Sequence, residues 1–284
     1  MSVNLCSAAR RLPLWTAVLL LSSPVSTPAL GHNPLTGSTD ERAAGIASAA
    51  LLVLLWFFYW RGSRRVQPRW QHRLLFHSTF VLCALTVLGP LDDWAKTSTA
   101  AHMTQHMLLI VVIAPLWVLS RPLAAIRSGG GQLMSSSWRW LWKPFLRIAD
   151  RPMTAAYLHG FMIWFWHMPY FYMLAVDNPW WHTLEHACFL ATACLFWLAV
   201  FTGSRRRLPW ALIALLFTLM HTGFLGAILT FAGNPLYGEA RSLQDQQLAG
   251  LIMWITAAIP YLLAAAWVGN RWYQRLMRSG QLGK

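Results

Sequence analysis

Apolar residues run along this chain in seven stretches of roughly twenty, parted by shorter polar segments. The stretches are Ala43–Trp60, Leu74–Leu91, Ala101–Leu119, Met153–Val176, His182–Phe201, Leu208–Ala232 and Gln247–Val268. At about 1.5 Å per residue each crosses roughly 30 Å of hydrocarbon, tilting where it is long. In lipid a lone crossing segment can pair its own backbone N–H and C=O groups only as a helix. A shorter apolar run, Leu12–Leu21, follows Arg10 and Arg11 and leads through Ser22 to the small-x-small triplet Ala29-Leu30-Gly31. That is the order of a secretory leader cut before His32; the competing reading is an uncleaved extra helix. The pattern predicts an all-α integral membrane protein, a seven-transmembrane helix bundle after an N-terminal signal peptide. Residues 1–31 would be the signal peptide, 32–42 a short periplasmic N-terminus, 43–268 the transmembrane domain and 269–284 a basic cytoplasmic tail.

Composition suits a chain dissolved in lipid. Of its residues 56% are hydrophobic and 11% charged, against about 25% charged in a soluble domain. The net charge of +14 comes from Lys and Arg in short clusters between apolar runs, not from one basic face or arm. That sets nucleic acid aside as a partner and leaves the lipid bilayer. The segments Arg61–Arg73, Arg121–Arg151, Arg205–Arg207 and Arg271–Lys284 hold eighteen basic residues, and the alternate segments hold only Arg42, Lys96 and Arg241. The positive-inside bias makes the first set cytoplasmic. The expectation is a multi-pass protein of the bacterial plasma (inner) membrane, with its mature N-terminus periplasmic and its C-terminus cytoplasmic. Trp56, Trp60, Trp180 and Trp181 fall at expected interfaces, and Trp138–Ile148 predicts an amphipathic helix on the anionic inner surface. Gly129-Gly130-Gly131 reads as a loop hinge, without the context of a phosphate loop. The four cysteines, Cys6, Cys83, Cys188 and Cys194, form no CxxC and read as small apolar filler, a soft-metal role for one being the rival reading.

Ionisable groups inside apolar spans are costly and therefore functional suspects. His102 and His106, at the outer end of the third span, are four apart and share a helical face, with Met103 and Met107 on a neighbouring stripe. His182 and His186 repeat the spacing at the outer end of the fifth span, and Glu185 lies where it can hold an imidazole by its second nitrogen. The acid directly precedes the second His, so this is not a zinc-peptidase HExxH. His167-Met168-Pro169 lies in the outer half of the fourth span, where Pro169 should loosen the helix, and Met220-His221 lies near the middle of the sixth. Asp92 and Asp93 close the second span, and Asp245 opens the seventh. Six histidines, His102, His106, His167, His182, His186 and His221, thus reach the outer half of the bilayer from four spans. A metal or cofactor site explains this shared depth better than a purely structural polar network. His72, His77 and His159 lie towards the cytoplasm and read as structural or interfacial; His32, with its amino group, could grip copper, or be an exposed terminus. Imidazole suits copper, iron and zinc, and neighbouring thioethers tilt the choice to copper. Haem is the rival cofactor, since His from facing helices are its usual axial ligands, and a His-rich di-iron oxidase comes third.

At these residues the chain resembles the CtaG family of polytopic assembly factors for caa3-type cytochrome c oxidase. The likeness lies in His102-Met103-Thr104-Gln105-His106-Met107-Leu108-Leu109 with Ala114-Pro115 and Arg121-Pro122, His167-Met168-Pro169 with Tyr172, and His182-x-x-Glu185-His186. Asp245-Gln246-Gln247-Leu248-Ala249-Gly250-Leu251-Ile252-Met253-Trp254 and Leu91-Asp92-Asp93 add to it, over roughly residues 70 to 268. An unrelated single-span copper chaperone shares the name and does not look like this chain. The resemblance implies a non-enzymatic role in maturing a haem–copper oxidase by delivering copper, with oxidase subunits as partners. It carries over His102, His106, His167, His182, Glu185, His186 and Asp245 as functional positions. His221, Asp93, Met103 and Met107 rest on the residue reading. A metal-free scaffold for oxidase subunits is the remaining alternative.

Overall fold

A computed structural model describes residues 38–238 and 241–281. The expected signal peptide, its cleavage point and His32 lie outside the described residues, as do the last three residues of the tail. Among the described residues every regular element is helical.

Helix α1 (Thr39–Val66) starts at a capping box in which the Ser38 hydroxyl accepts from the Glu41 amide and the Glu41 carboxylate from the Ser38 amide. It stops where Gln67 turns left-handed at φ 48°. Helix α2 (Trp70–Leu88) ends at Gly89, and Pro90, which has no N–H to lose at a first helical turn, opens the short α3 (Pro90–Thr97). Asp92 and Asp93 therefore sit on α3 instead of closing α2. The next span, α4 (Thr99–Ser120), contains a π-helical stretch, Leu108–Ile113. Pro115 explains it. In the π register the Ala114 amide bonds the Leu109 carbonyl, so the next amide would bond Ile110, and Pro115 has none. The Trp197 indole N–H supplies the missing donor, 2.8 Å from the Ile110 oxygen.

After α5 (Leu123–Gly129) the chain runs through short helical pieces. Trp138–Ile148, expected as one amphipathic helix, is instead a π turn (Trp138–Trp142), an α turn (Lys143–Leu146) and the start of a 3-10 turn (Arg147–Asp150). Gly131 takes φ 62° at the expected hinge. The expected fourth span is broken. Helix α6 (Pro152–His167) ends at Met168, and Pro169 starts α7 (Pro169–Asp177), giving helices of 16 and 9 residues. The break follows from Pro169, which disfavours helical geometry in the residue before it; Met168 is extended at ψ 134°. Helices α8 (Pro179–Thr202), α9 (Leu208–Phe231) and α10 (Leu243–Gln281) complete the bundle.

Among the described residues six helices are long and apolar enough to cross a membrane: α1, α2 running on into α3, α4, α8, α9 and α10. The surface of the bundle is oily, with Leu51, Val81, Phe161, Leu216, Ile259 and Leu263 all exposed, while His102, Gln105, His106, His159, Glu185 and Thr218 are buried. Polar inside and apolar outside is the arrangement of a bundle solvated by lipid. Helices α4 and α8 are the most enclosed, with 61% and 56% of their apolar windows buried against 11% for α1. Glycines allow two close crossings. A Cβ on Gly62 of α1 would collide with the backbone of Ala125 in α5, and one on Gly250 of α10 would collide with Gly226 and Thr230 of α9.

Candidate metal centre

The two most enclosed helices carry the paired histidines. One face of α4 presents His102 and His106, one face of α8 presents His182, Glu185 and His186, and the faces meet. The His102 and His106 rings are 4.3 Å apart centre to centre, His182 and His186 4.2 Å, His102 and His182 5.0 Å, and His106 and His186 5.7 Å. Glu185 lies between the helices, with one carboxylate oxygen 3.4 Å from His102 Nε2 and the other 3.5 Å from His106 Nε2. So Glu185 does not back a single imidazole from behind; it faces the same nitrogens that a metal would use.

Among the described residues two sets of donors converge closely enough for an ion. His102, His106, His182 and Glu185 form one, Asp92, His182 and His186 the other, and within each the ligand atoms lie within 4.8 Å of one another. Tetrahedral ligands at about 2 Å from an ion stand roughly 3.3 Å apart, so a modest inward turn of the side chains suffices. Both Glu185 oxygens, both nitrogens of His106 and Nε2 of His102, His182 and His186 are buried without a hydrogen-bond partner among the described residues. A buried carboxylate and several imidazoles left unpaired are costly as they stand, and a cation held by either donor set would satisfy several of them.

The surroundings hold these helices in place. Asp92, whose side chain is 30% exposed, stands 3.6 Å from His182 Nδ1. Gln105 donates from one amide nitrogen to Asp92 at 2.9 Å and to the Thr86 carbonyl at 2.8 Å. Asp245 accepts from the Ser98 hydroxyl and from the Thr99 and Ala100 amides, capping the N-terminus of α4 one turn before His102. Over the His-bearing end lie Tyr237 and Arg241, from the connection between α9 and α10. Tyr237 stacks on Tyr172 with centroids 3.8 Å apart, Tyr172 lies 4.9 Å from His102, and the Tyr237 hydroxyl donates to the His167 carbonyl. Burial raises the Tyr237 phenol well above its ordinary range, so it stays a donor. Arg241 is buried and donates to the Thr99 and Tyr172 hydroxyls and to the Lys96 carbonyl.

The remaining predicted residues fall elsewhere. His167 borders the cluster, 6.0 Å from the His106 ring, with Nε2 3.5 Å from Met103 Sδ. His221 joins neither donor set; its ring lies against Gly160 and 5.0 Å from Phe217. Asp93 pairs with Lys96 at 3.1 Å, leaving the site to its neighbour Asp92. Met107 is packed into the apolar core. Asp245 is a helix cap and belongs to neither donor set. Asp92, Gln105, Tyr237 and Arg241 had no site role in the sequence reading; for Arg241, a lone cation on the acid-rich side was the available sign.

The sequence matches the family model for the cytochrome c oxidase caa3 assembly factor (Caa3_CtaG) over residues 53–275. The chain belongs to this family. Comparisons with curated proteins and with solved structures give no match. As a caa3 assembly factor the chain holds all of its converging donors, from Asp92 to Glu185 and His186, inside the matched region.

Proposed function

We propose that this assembly factor acts by binding copper on the periplasmic side and delivering it to an oxidase subunit, without catalysing a reaction itself. The observation that carries this is the set of unpaired, buried imidazole nitrogens closing on the Glu185 carboxylate from two facing helices. Mixed imidazole and carboxylate donors hold several divalent metals, and cupric copper heads the affinity order among them. Two donor sets that share His182 suit ligand-by-ligand exchange better than one closed cage does. Haem fits less well, because rings 4.2–5.7 Å apart leave room between them for an ion but not for a macrocycle.

In this reading α6 and α7 together make one kinked crossing, so the chain crosses seven times after removal of the leader. Arg64 over Trp60 at 3.8 Å and Arg271 over Trp267 at 4.4 Å anchor one end of the bundle. Such basic and aromatic pairs support that end as cytoplasmic and the His cluster as periplasmic.

Metal analysis and an optical spectrum of the detergent-purified protein test the proposal. The expected result is copper bound by wild type and strongly reduced in His102→Ala/His106→Ala. A stoichiometric Soret band or stoichiometric iron would replace copper by haem or a di-iron centre. Normal oxidase assembly in cells carrying the double variant at wild-type level would leave a metal-free scaffold.

A further inference from the structure

Beside the imidazole–carboxylate cluster lies a pair of different chemistry. His167 closes α6, and its Nδ1 is 2.7 Å from the Ile163 carbonyl one turn back. A carbonyl only accepts, so Nδ1 carries the proton and Nε2 of the neutral ring carries a lone pair. That Nε2 points at Met103 Sδ, 3.5 Å away. A thioether has only lone pairs to offer. Two buried lone-pair donors, one from α4 and one from α6, therefore face each other with no hydrogen between them to bind them.

We infer that His167 Nε2 and Met103 Sδ form a separate position for a soft monovalent cation, cuprous copper, next to the cluster. This rests on the copper reading above and extends it to a second oxidation state and a second place. Thioether with imidazole favours cuprous ion, whereas carboxylate does not. The spacing fits: with metal–nitrogen and metal–sulfur bonds of about 2.0 and 2.3 Å, donors 3.5 Å apart close an angle of roughly 110° at the metal. A bent pair leaves room for a third ligand, and His106 is at hand, its ring 6.0 Å from that of His167 and its Nδ1 unpaired among the described residues. His106 then borders both positions, with Nε2 towards Glu185. The donors change in order, from the partly exposed Asp92 through four imidazoles and Glu185 to a buried thioether. His167 also lines a cleft of about 200 Å³, together with Met168, Pro169, Leu225, Leu236 and Tyr237. Met168, at the break between α6 and α7, has an exposed side chain and lines this cleft.

The test uses the full chain in detergent, titrated without oxygen with cuprous ion against a chromogenic chelator, and separately with cupric ion followed by EPR. Met103→Leu keeps volume and apolar character and removes only the sulfur; Met107→Leu is the control at a second buried methionine, one packed in the apolar core. The expected result is at least a tenfold loss of cuprous affinity in Met103→Leu, with loss of the sulfur scatterer from the copper X-ray absorption spectrum. Its cupric EPR spectrum should stay as in wild type, and Met107→Leu should match wild type throughout. Cuprous affinity and sulfur ligation unchanged in Met103→Leu overturn the inference while the cupric site stands. Absence of both cupric and cuprous binding in wild type overturns the copper reading itself. Should Met103→Leu lose cupric binding as well, the two positions are one site and the inference fails.

Discussion

Glu185 decides the character of the centre. It is fully buried, it faces two imidazole nitrogens, and neither of its oxygens has a hydrogen-bond partner among the described residues. A carboxylate held this way is destabilising until a cation arrives. Glu185→Gln should therefore separate stability from binding. In thermal unfolding the metal-free variant should melt at or above the wild-type temperature, while its copper affinity falls about ten- to hundredfold. The stabilisation added by copper, about 2.7 kcal/mol at a hundredfold excess over Kd, should shrink accordingly. A variant that melts lower without metal, yet keeps the copper-induced shift, would make Glu185 a structural residue. At this scale much was legible: the i, i+4 histidines on two spans predict two faces and a depth. Rotation about the helix axis was not. His221 has a plausible depth, but its helix turns it towards Gly160 and Phe217, and Asp92, not Asp93, turns towards His182. A count along the chain reports depth, whereas only packing between helices sets azimuth.

Among the elements, α4 departs furthest from the regular helix expected for the third span. Its π stretch leaves the Ile110 carbonyl to the Trp197 indole, a long-range bond between the two helices that build the centre. Trp197→Phe keeps a ring and removes the N–H. The expected outcome is a loss of about 1–3 kcal/mol for the stranded carbonyl, seen as a lower melting temperature, with the copper stoichiometry of the folded protein retained. No change in melting would mean that the carbonyl finds another donor. Pro115 was visible in the sequence, but a proline alone does not say whether a helix kinks, stops or widens. At Pro169 the same residue type breaks the helix instead. Trp197 settles the first case, and it lies 82 positions downstream of Pro115, beyond any local pattern.

For the whole molecule, apolar length and basic clusters made the all-helical membrane fold legible, because lipid restricts the backbone so severely. Loosening of the fourth span at Pro169 was expected, but a full break there and the segmentation of Trp138–Ile148 were not legible, since packing between elements decides whether a weakened helix ends. Sidedness is open to direct measurement. Asn234 and Ser204 are exposed at the connections on either side of α9. With an outer His cluster, Asn234→Cys should react with a membrane-impermeant maleimide in intact spheroplasts, and Ser204→Cys only after lysis. The reverse pattern would place the centre on the cytoplasmic face and remove periplasmic capture. The wide turn in α4 has a further consequence at this scale. It amounts to one extra residue, a phase slip of about 100°, so the two ends of one rod are aimed independently. The half bearing His102 and His106 can be dialled onto its partners while the other half keeps its own bearing, and substitutions that re-tune one end need not detune the other.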